Sequence, residues 1–204
     1  IWNSDKFSDE NKNIISGSII VADTSFFDVF DTEILTGNPK DALSQRGSAM
    51  VSESFADKLG GATEALGKII FNEESPNFPI TINGVFADFP HHSSVKRDVL
   101  LSMESMRKES TENWVGNDRY RGYVRLMKGT DPDMLAPAIR DMQMKNYPAE
   151  AIKMFQDSGL DLQYFLAPLT RQHLKSEQVR ITVLILSIVA LMLIAISLLN
   201  YILF

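Results

Sequence analysis

The sequence predicts a mixed α+β domain followed by a long C-terminal transmembrane helix. Three observations carry that prediction. Residues 181–204 read ITVLILSIVALMLIAISLLNYILF, with no charge, proline or glycine. Residues 1–180 interleave short period-two runs rich in Ile, Val and Phe with short runs at helical spacing. The chain as a whole carries a formal net charge of −6 and no cysteine.

In chain order, residues 14–22 (IISGSIIVA) read as a strand. Residues 24–30 follow as a short helix loaded by Phe26, Phe27 and Phe30, with Asp23 or Thr24 as its cap. Residues 33–35 are briefly extended, and Gly37-Asn38-Pro39 stops them. Residues 48–51 form a strand. Ser52 then caps a helix holding Phe55, Ala56 and Leu59, and Gly60-Gly61 ends it. Residues 67–71 and 80–87 are two strands joined by a turn that carries Pro76 and Pro79. Asp88-Phe89-Pro90 closes the second of them. Residues 95–101 read as a further strand and 103–108 as weakly helical.

Residues 120–127 (YRGYVRLM) alternate and predict a strand. Asp131-Pro132 starts a helix that runs through Leu135, Ile139 and Met142 to Tyr147-Pro148. Residues 149–156 form another short helix, and 160–167 a last strand broken by Pro168. From about His173 nothing interrupts a helix, so one rod is expected, polar at first and apolar afterwards. The apolar part is about 36 Å long, enough to cross a hydrocarbon core of about 30 Å. A core helix keeps a polar face, which this stretch lacks, and its C-terminal position excludes a signal peptide. The chain starts at Ile1 rather than Met and stops within the apolar run, so a segment of a longer membrane protein is expected.

Residues 1–180 suffice for one medium domain or two small lobes, with the polar stretch 110–118 as a candidate separator. The acidic balance argues against nucleic acid, which needs a basic footprint. Without cysteine there is no disulfide scaffold and no thiolate metal site. Arg171, Lys175 and Arg180 precede the span, and a simple positive-inside count would place them in the cytoplasm. That rule weakens for long translocated domains, so the residues alone leave the side open.

Few groups suggest chemistry. Gly61 to Lys68 (GATEALGK) departs from a phosphate loop, having five residues between its glycines and Ile69 after the lysine. It reads as a structural turn. His91-His92 are adjacent, so in a strand they diverge, and zinc needs three or four converging ligands. Asp23, Asp28 and Asp31 lack the alternation and central glycine of a calcium loop. No nucleophile elbow is present, and Ser25, Ser52, Ser93 and Ser94 have no base at suggestive spacing. No catalytic residue, metal ligand or cofactor site is assigned. Arg119, Arg121, Tyr123 and Arg125 share one strand face, open to an anionic ligand or partner. The plainer reading leaves that face solvated and turns Tyr120, Val124 and Leu126 inward. Phe26, Phe27, Phe30 and Phe55 read as core, and Met134, Met142 and Met144 as helix packing. In the span, Ala190, Ser197 and Asn200 fall near one face, suited to contact with a neighbouring helix.

Four stretches together carry a family resemblance: VADTSFFDVFDTEILTGNP (21–39), AMVSESFADKLGGATEALGKII (49–70), ITINGVFADFPHHSSVKRDVLLSM (80–103) and LQYFLAPLTRQHLKSE (162–177). Their order and separations, running into an apolar helix, resemble the extracytoplasmic core domain of MacB/FtsX-type ABC transporter permeases. The resemblance implies a core domain over 1–172, a stalk over 173–180 and a transmembrane helix over 181–204. The core domain would lie outside a bacterial inner membrane, between the first two spans of the permease. It would have two lobes, one of βαβ-like units and an inserted one near 90–165. Implied partners are a separate ABC ATPase, a second permease copy in a dimer, a periplasmic accessory protein and membrane lipid. The domain would not be an enzyme. It would transmit ATP-driven helix movement outward through the stalk, with Arg171, Lys175 and Arg180 fixing it at the membrane surface and His173 capping or packing at its start. Two other functions fit the residues: the ligand-sensing outer domain of a signalling receptor, or an FtsX-like docking domain for a cell-wall hydrolase.

Overall fold

In the computed structural model the chain enters a sheet within its first ten residues. Strand β1 (Lys6–Asp9) pairs antiparallel with β2 (Ile14–Ser16), Phe7 opposite Ile15. The structure describes residues 5–90, 93, 95–106, 114, 120–159, 163–169 and 177–203, with backbone alone at 177–180 and 203. The hairpin closes because the Asp9 carboxylate accepts hydrogen bonds from the backbone and side-chain nitrogens of Asn13, each at 2.8 Å. Lys12 there adopts φ 65°, a left-handed turn position.

The stretch expected as one strand over 14–22 is broken at Gly17-Ser18. Its second half, β3 (Ile19–Ala22), pairs parallel with β8 (Val99–Ser102). A Cβ at Gly17 would stand 2.6 Å from two carbons of the Phe55 ring, so only glycine lets the chain turn there. Then follow α1 (Phe26–Val29), β4 (Ile34–Gly37) and α2 (Pro39–Leu43). The sequence marked Gly37-Asn38-Pro39 only as a stop. It also starts α2: the Asn38 side chain accepts from the Lys40 N–H at 3.0 Å, and Pro39 occupies the first turn. Next come β5 (Ser48–Ser52), α3 (Glu53–Asp57) and α4 (Ala62–Ala65). Ser52 caps α3 as expected, accepting from the Phe55 N–H at 3.3 Å.

Strands β6 (Ile69–Asn72) and β7 (Ser75–Phe86) form the next hairpin. Its turn lies at Glu73-Glu74, where Asn72 accepts from the Glu74 N–H at 3.0 Å. Pro76 and Pro79 therefore belong to β7, not to the turn. Strand β7 is the spine: β6 and β4 pair with successive parts of one edge, and β5 pairs parallel with the other. The eight-stranded sheet follows the path β2-β1-β6-β7-β5-β8-β3. Seven strands laid flat would separate the outer two by about 29 Å, since neighbours lie about 4.8 Å apart. Yet β2 and β3 are joined by Gly17 and Ser18 alone, a tether spanning at most about 11 Å. The sheet is therefore rolled, and the bent strand draws its two ends together.

Alternation along the central strands feeds both faces. Ala49, Val51, Val99 and Leu101 join Phe7, Phe55, Ile70 and Ile82 in one core. Met50 and Leu100 join Phe30, Leu43, Phe86 and Phe89 in the other. Each of these large apolar side chains contributes about 1.5–3 kcal/mol by leaving water. Burial on both faces explains why β5 and β8 read as continuous apolar runs.

Strand β8 starts at Val99, later than expected, and a 3-10 turn at Met103–Ser105 follows it. Residues 120–127 form no ladder, and neither do 163–167 of the last expected strand, while 160–162 lie outside the described residues. Asp131 accepts from the Asp133 N–H at 3.0 Å and starts a 3-10 turn, Pro132–Met134. Helices α5 (Leu135–Asn146) and α6 (Ala149–Ser158) follow. The chain divides into two units, 1–130 with 142–161 and 131–141 with 162–204. The second unit holds α7 (Glu177–Leu203), whose 27 residues make a rod of about 40 Å.

Candidate functional site

The first unit is built for rigidity at the point where its sheet closes. Asp98, just before β8, accepts from the Ser18 backbone nitrogen at 2.7 Å and from its hydroxyl at 2.9 Å. In return the Ser18 carbonyl accepts from the Asp98 N–H at 3.0 Å and the Val99 N–H at 2.9 Å. The Ser52 N–H donates to the Asp98 carbonyl at 2.8 Å, tying the end of β5 to the same corner. Lys58 caps the seam from α3 side, its Nζ donating to the Ser16 carbonyl at 2.8 Å and lying 5.8 Å from the Phe55 ring centre. No local signal in the sequence announced this clasp, because its partners stand 80 positions apart.

The residues singled out for chemistry are dispersed. Asp23 accepts from the Ser25 backbone and hydroxyl at 3.0 and 2.8 Å, Asp28 pairs with Lys40 at 3.6 Å, and Asp31 pairs with Arg125 at 2.6 Å. The three carboxylates thus have three separate partners. Gly61 precedes α4, which takes up Ala62–Ala65 of GATEALGK where the sequence marked only a turn, and Lys68 Nζ donates to the Leu59 carbonyl at 2.5 Å, tying the segment back to the chain just after α3. His91 and His92 lie outside the described residues, as does Ser94. Among the described residues no three His, Cys, Asp or Glu side chains gather to hold a metal. The Asp9 carboxyl is held below its ordinary value, first by its hydrogen bond from the Asn13 side chain.

Six aromatic rings, Phe26, Phe27, Phe30, Phe86, Phe89 and Tyr123, form a continuous group, joined by Phe27 to Phe86 at 5.6 Å and Phe26 to Phe89 at 6.1 Å. Phe26 meets Phe30 at 4.7 Å between ring centres, Phe86 meets Phe89 at 5.5 Å, and Tyr123 stands edge-on to Phe30 at 5.1 Å. Over 123–125 the segment is thus oriented opposite to the plainer expectation, whereas Leu126 is half-buried. Tyr123 faces the core, and Arg125 donates to the Val29 carbonyl at 3.1 Å, while Val124 is 56% exposed. Met134 and Met142 are exposed at 76% and 45%, which corrects their reading as helix packing.

The functional element that remains is α7. Ile181–Ile202 has a mean hydropathy of 3.0 and is unburied throughout. Such a surface is stable in hydrocarbon and not in water. Ala190, Ser197 and Asn200 all lie in α7. At about 100° per residue Ser197 falls about 20° from Ala190 and Asn200 about 80° from it. Arg180 lies in the first turn of α7, whereas Arg171, His173 and Lys175 lie outside the described residues.

A rolled sheet with helices on both faces, continuous in sequence with a membrane-length helix, defines the domain of a membrane protein that works outside the bilayer. Residues 3–142 match the MacB-like periplasmic core domain, and the chain belongs to that family. A solved domain from Porphyromonas gingivalis, described as part of a permease, is 36% identical with a TM-score of 0.69, covering 82% of this chain and 72% of its own. The periplasmic region of MacB from Actinobacillus actinomycetemcomitans is 14% identical, with a TM-score of 0.47, 76% of this chain and 72% of its own covered. The extracellular domain of the ABC-type transporter YknZ from Gram-positive bacteria is 20% identical with a TM-score of 0.34, covering 48% and 49%. No curated protein matches significantly. Family membership makes this the periplasmic domain of a MacB-like ABC transporter permease and implies an ATPase partner.

Proposed function

We propose that this domain couples ATP-driven movement of transmembrane helices to conformational change outside a bacterial inner membrane, in the service of export. The supporting observation is the junction of a membrane-length helix with a domain of this family. In this reading the core spans 1–172 with an inserted lobe near 90–165, and 173–180 is the stalk. Arg171, Lys175 and Arg180 hold the stalk at the membrane surface, and His173 caps its start. Ala190, Ser197 and Asn200 pack against a neighbouring span, and the permease acts as a dimer with a periplasmic accessory protein. A continuous helix carries force because its backbone hydrogen bonds resist bending, and a glycine pair would absorb it.

The test is insertion of two glycines after Ser176 in the full transporter with its ATPase. We expect ATP hydrolysis to persist while export falls by about tenfold or more. Export at the normal rate in a correctly inserted variant would overturn the coupling role.

A further inference from the structure

The segment 120–127 has the sequence periodicity of a strand and, among the described residues, no strand beside it. It runs without helix, ladder or bend. Tyr123 and Arg125, two positions apart, reach the body of the domain through Phe30, the Val29 carbonyl and Asp31. Val124 between them is 56% exposed, and Tyr120 is 39% exposed. Over 123–125 that alternation is the side-chain geometry of extended backbone, and Leu126 beyond it is half-buried. Across 121–126 no N–H or C=O makes a backbone hydrogen bond among the described residues.

We propose that 120–127 is a docking strand, which accepts an extended segment of a partner protein by β-strand addition. Its charge states what that segment carries. Arg121 and Lys128 have no ion-pair partner among the described residues, and no acidic residue lies between Arg119 and Asp131. On a chain of net charge −6 this is a local cationic edge. The partner strand is therefore acidic on the face beside Arg121 and apolar on the face beside Val124. A second copy of the same segment fits poorly. Antiparallel pairing about Tyr123 sets Arg121 against Arg125, and parallel pairing sets Arg121 against itself. An anionic lipid surface would meet the cations but leave a row of alternating donors and acceptors without partners.

The test uses the full chain in detergent micelles with a synthetic peptide as probe: acetyl-Thr-Glu-Val-Glu-Val-Glu-Val-Thr-amide, and a control with lysine for each glutamate. Amide hydrogen exchange is followed at residues 121–126. We expect unprotected amides in the free chain and saturable protection by the acidic peptide, absent with the lysine peptide. R121E should weaken binding roughly tenfold. V124P removes one N–H from an exposed site where nothing accepts it, and should abolish protection with the near-UV spectrum of the domain unchanged. G122V should bind at least as well, because a side chain at Gly122 meets open space. Three results would overturn the proposal: amides already protected in the free chain, equal protection by both peptides, or wild-type binding by V124P. Protection by anionic vesicles in place of the peptide would overturn it too.

Discussion

The Asp98 carboxylate lies 2.7 Å from the backbone nitrogen of Ser18, and that pairing closes the sheet. It fixes the corner where one strand leaves the β1 edge and joins β8 at the far end of the path. Removing the carboxylate leaves a half-buried N–H without its acceptor. D98A should therefore destabilise the domain by about 1–3 kcal/mol, measured by urea unfolding, and S18A by less, since the backbone bonds survive. A D98A variant with the wild-type midpoint would show that the clasp is dispensable.

Gly17 and Phe55 make the steric half of the same corner. G17A forces a methyl group against a fully buried ring, 2.6 Å away. We expect a loss of about 1–3 kcal/mol in thermal or urea unfolding. F55L in the G17A background should recover part of that loss, because the ring that is struck has gone. Additive losses from the two changes would rule out the contact as the cause.

Phe30 and Tyr123 hold residues 120–127 on the domain edge-to-face at 5.1 Å. A double-mutant cycle with leucine at both positions should yield about 0.5–1.5 kcal/mol of coupling. R125A should cost at most about 1 kcal/mol, because the Arg125–Asp31 pair is solvent-exposed at both ends. A larger loss at Arg125 than at Tyr123 would reverse this order.

Asp9 titrates below its ordinary value because Asn13 donates to it. A carboxylate with a lowered folded pKa adds stability above its unfolded pKa of about 3.9 and loses it as the pH falls through the folded value. N13A removes the largest cause, so the Asp9 titration should move upward, and the share of the acid-side stability loss that Asp9 contributes should shrink. Carbon-detected NMR titration of the Asp9 carboxyl reads this directly, and an unmoved titration would assign the shift elsewhere.

Leu193 lies in the middle of Ile181–Ile202. A lysine there should cost about 2.5–3.5 kcal/mol in a translocon insertion assay. Equal insertion of L193K and the wild type would mean that α7 does not cross the membrane.

Short-range rules were enough for much of this protein. The span needed only a window of apolar residues. Ser52 announced α3 by capping it, Asp131-Pro132 announced its turn, and the Ile/Val runs marked β5, β7 and β8. The single expected strand over 14–22 was right in its residues and wrong in its path, since propensity does not say which neighbour a strand pairs with. What the chain by itself determined is where backbone can be straight, coiled or in lipid, because those preferences are settled within a few residues. Tertiary structure alone decided that Gly17 must bend, that Asp98 should meet Ser18, and that Tyr123 rather than Val124 turns to the core. Each depends on a partner tens of positions away, which comes within reach only when the sheet rolls.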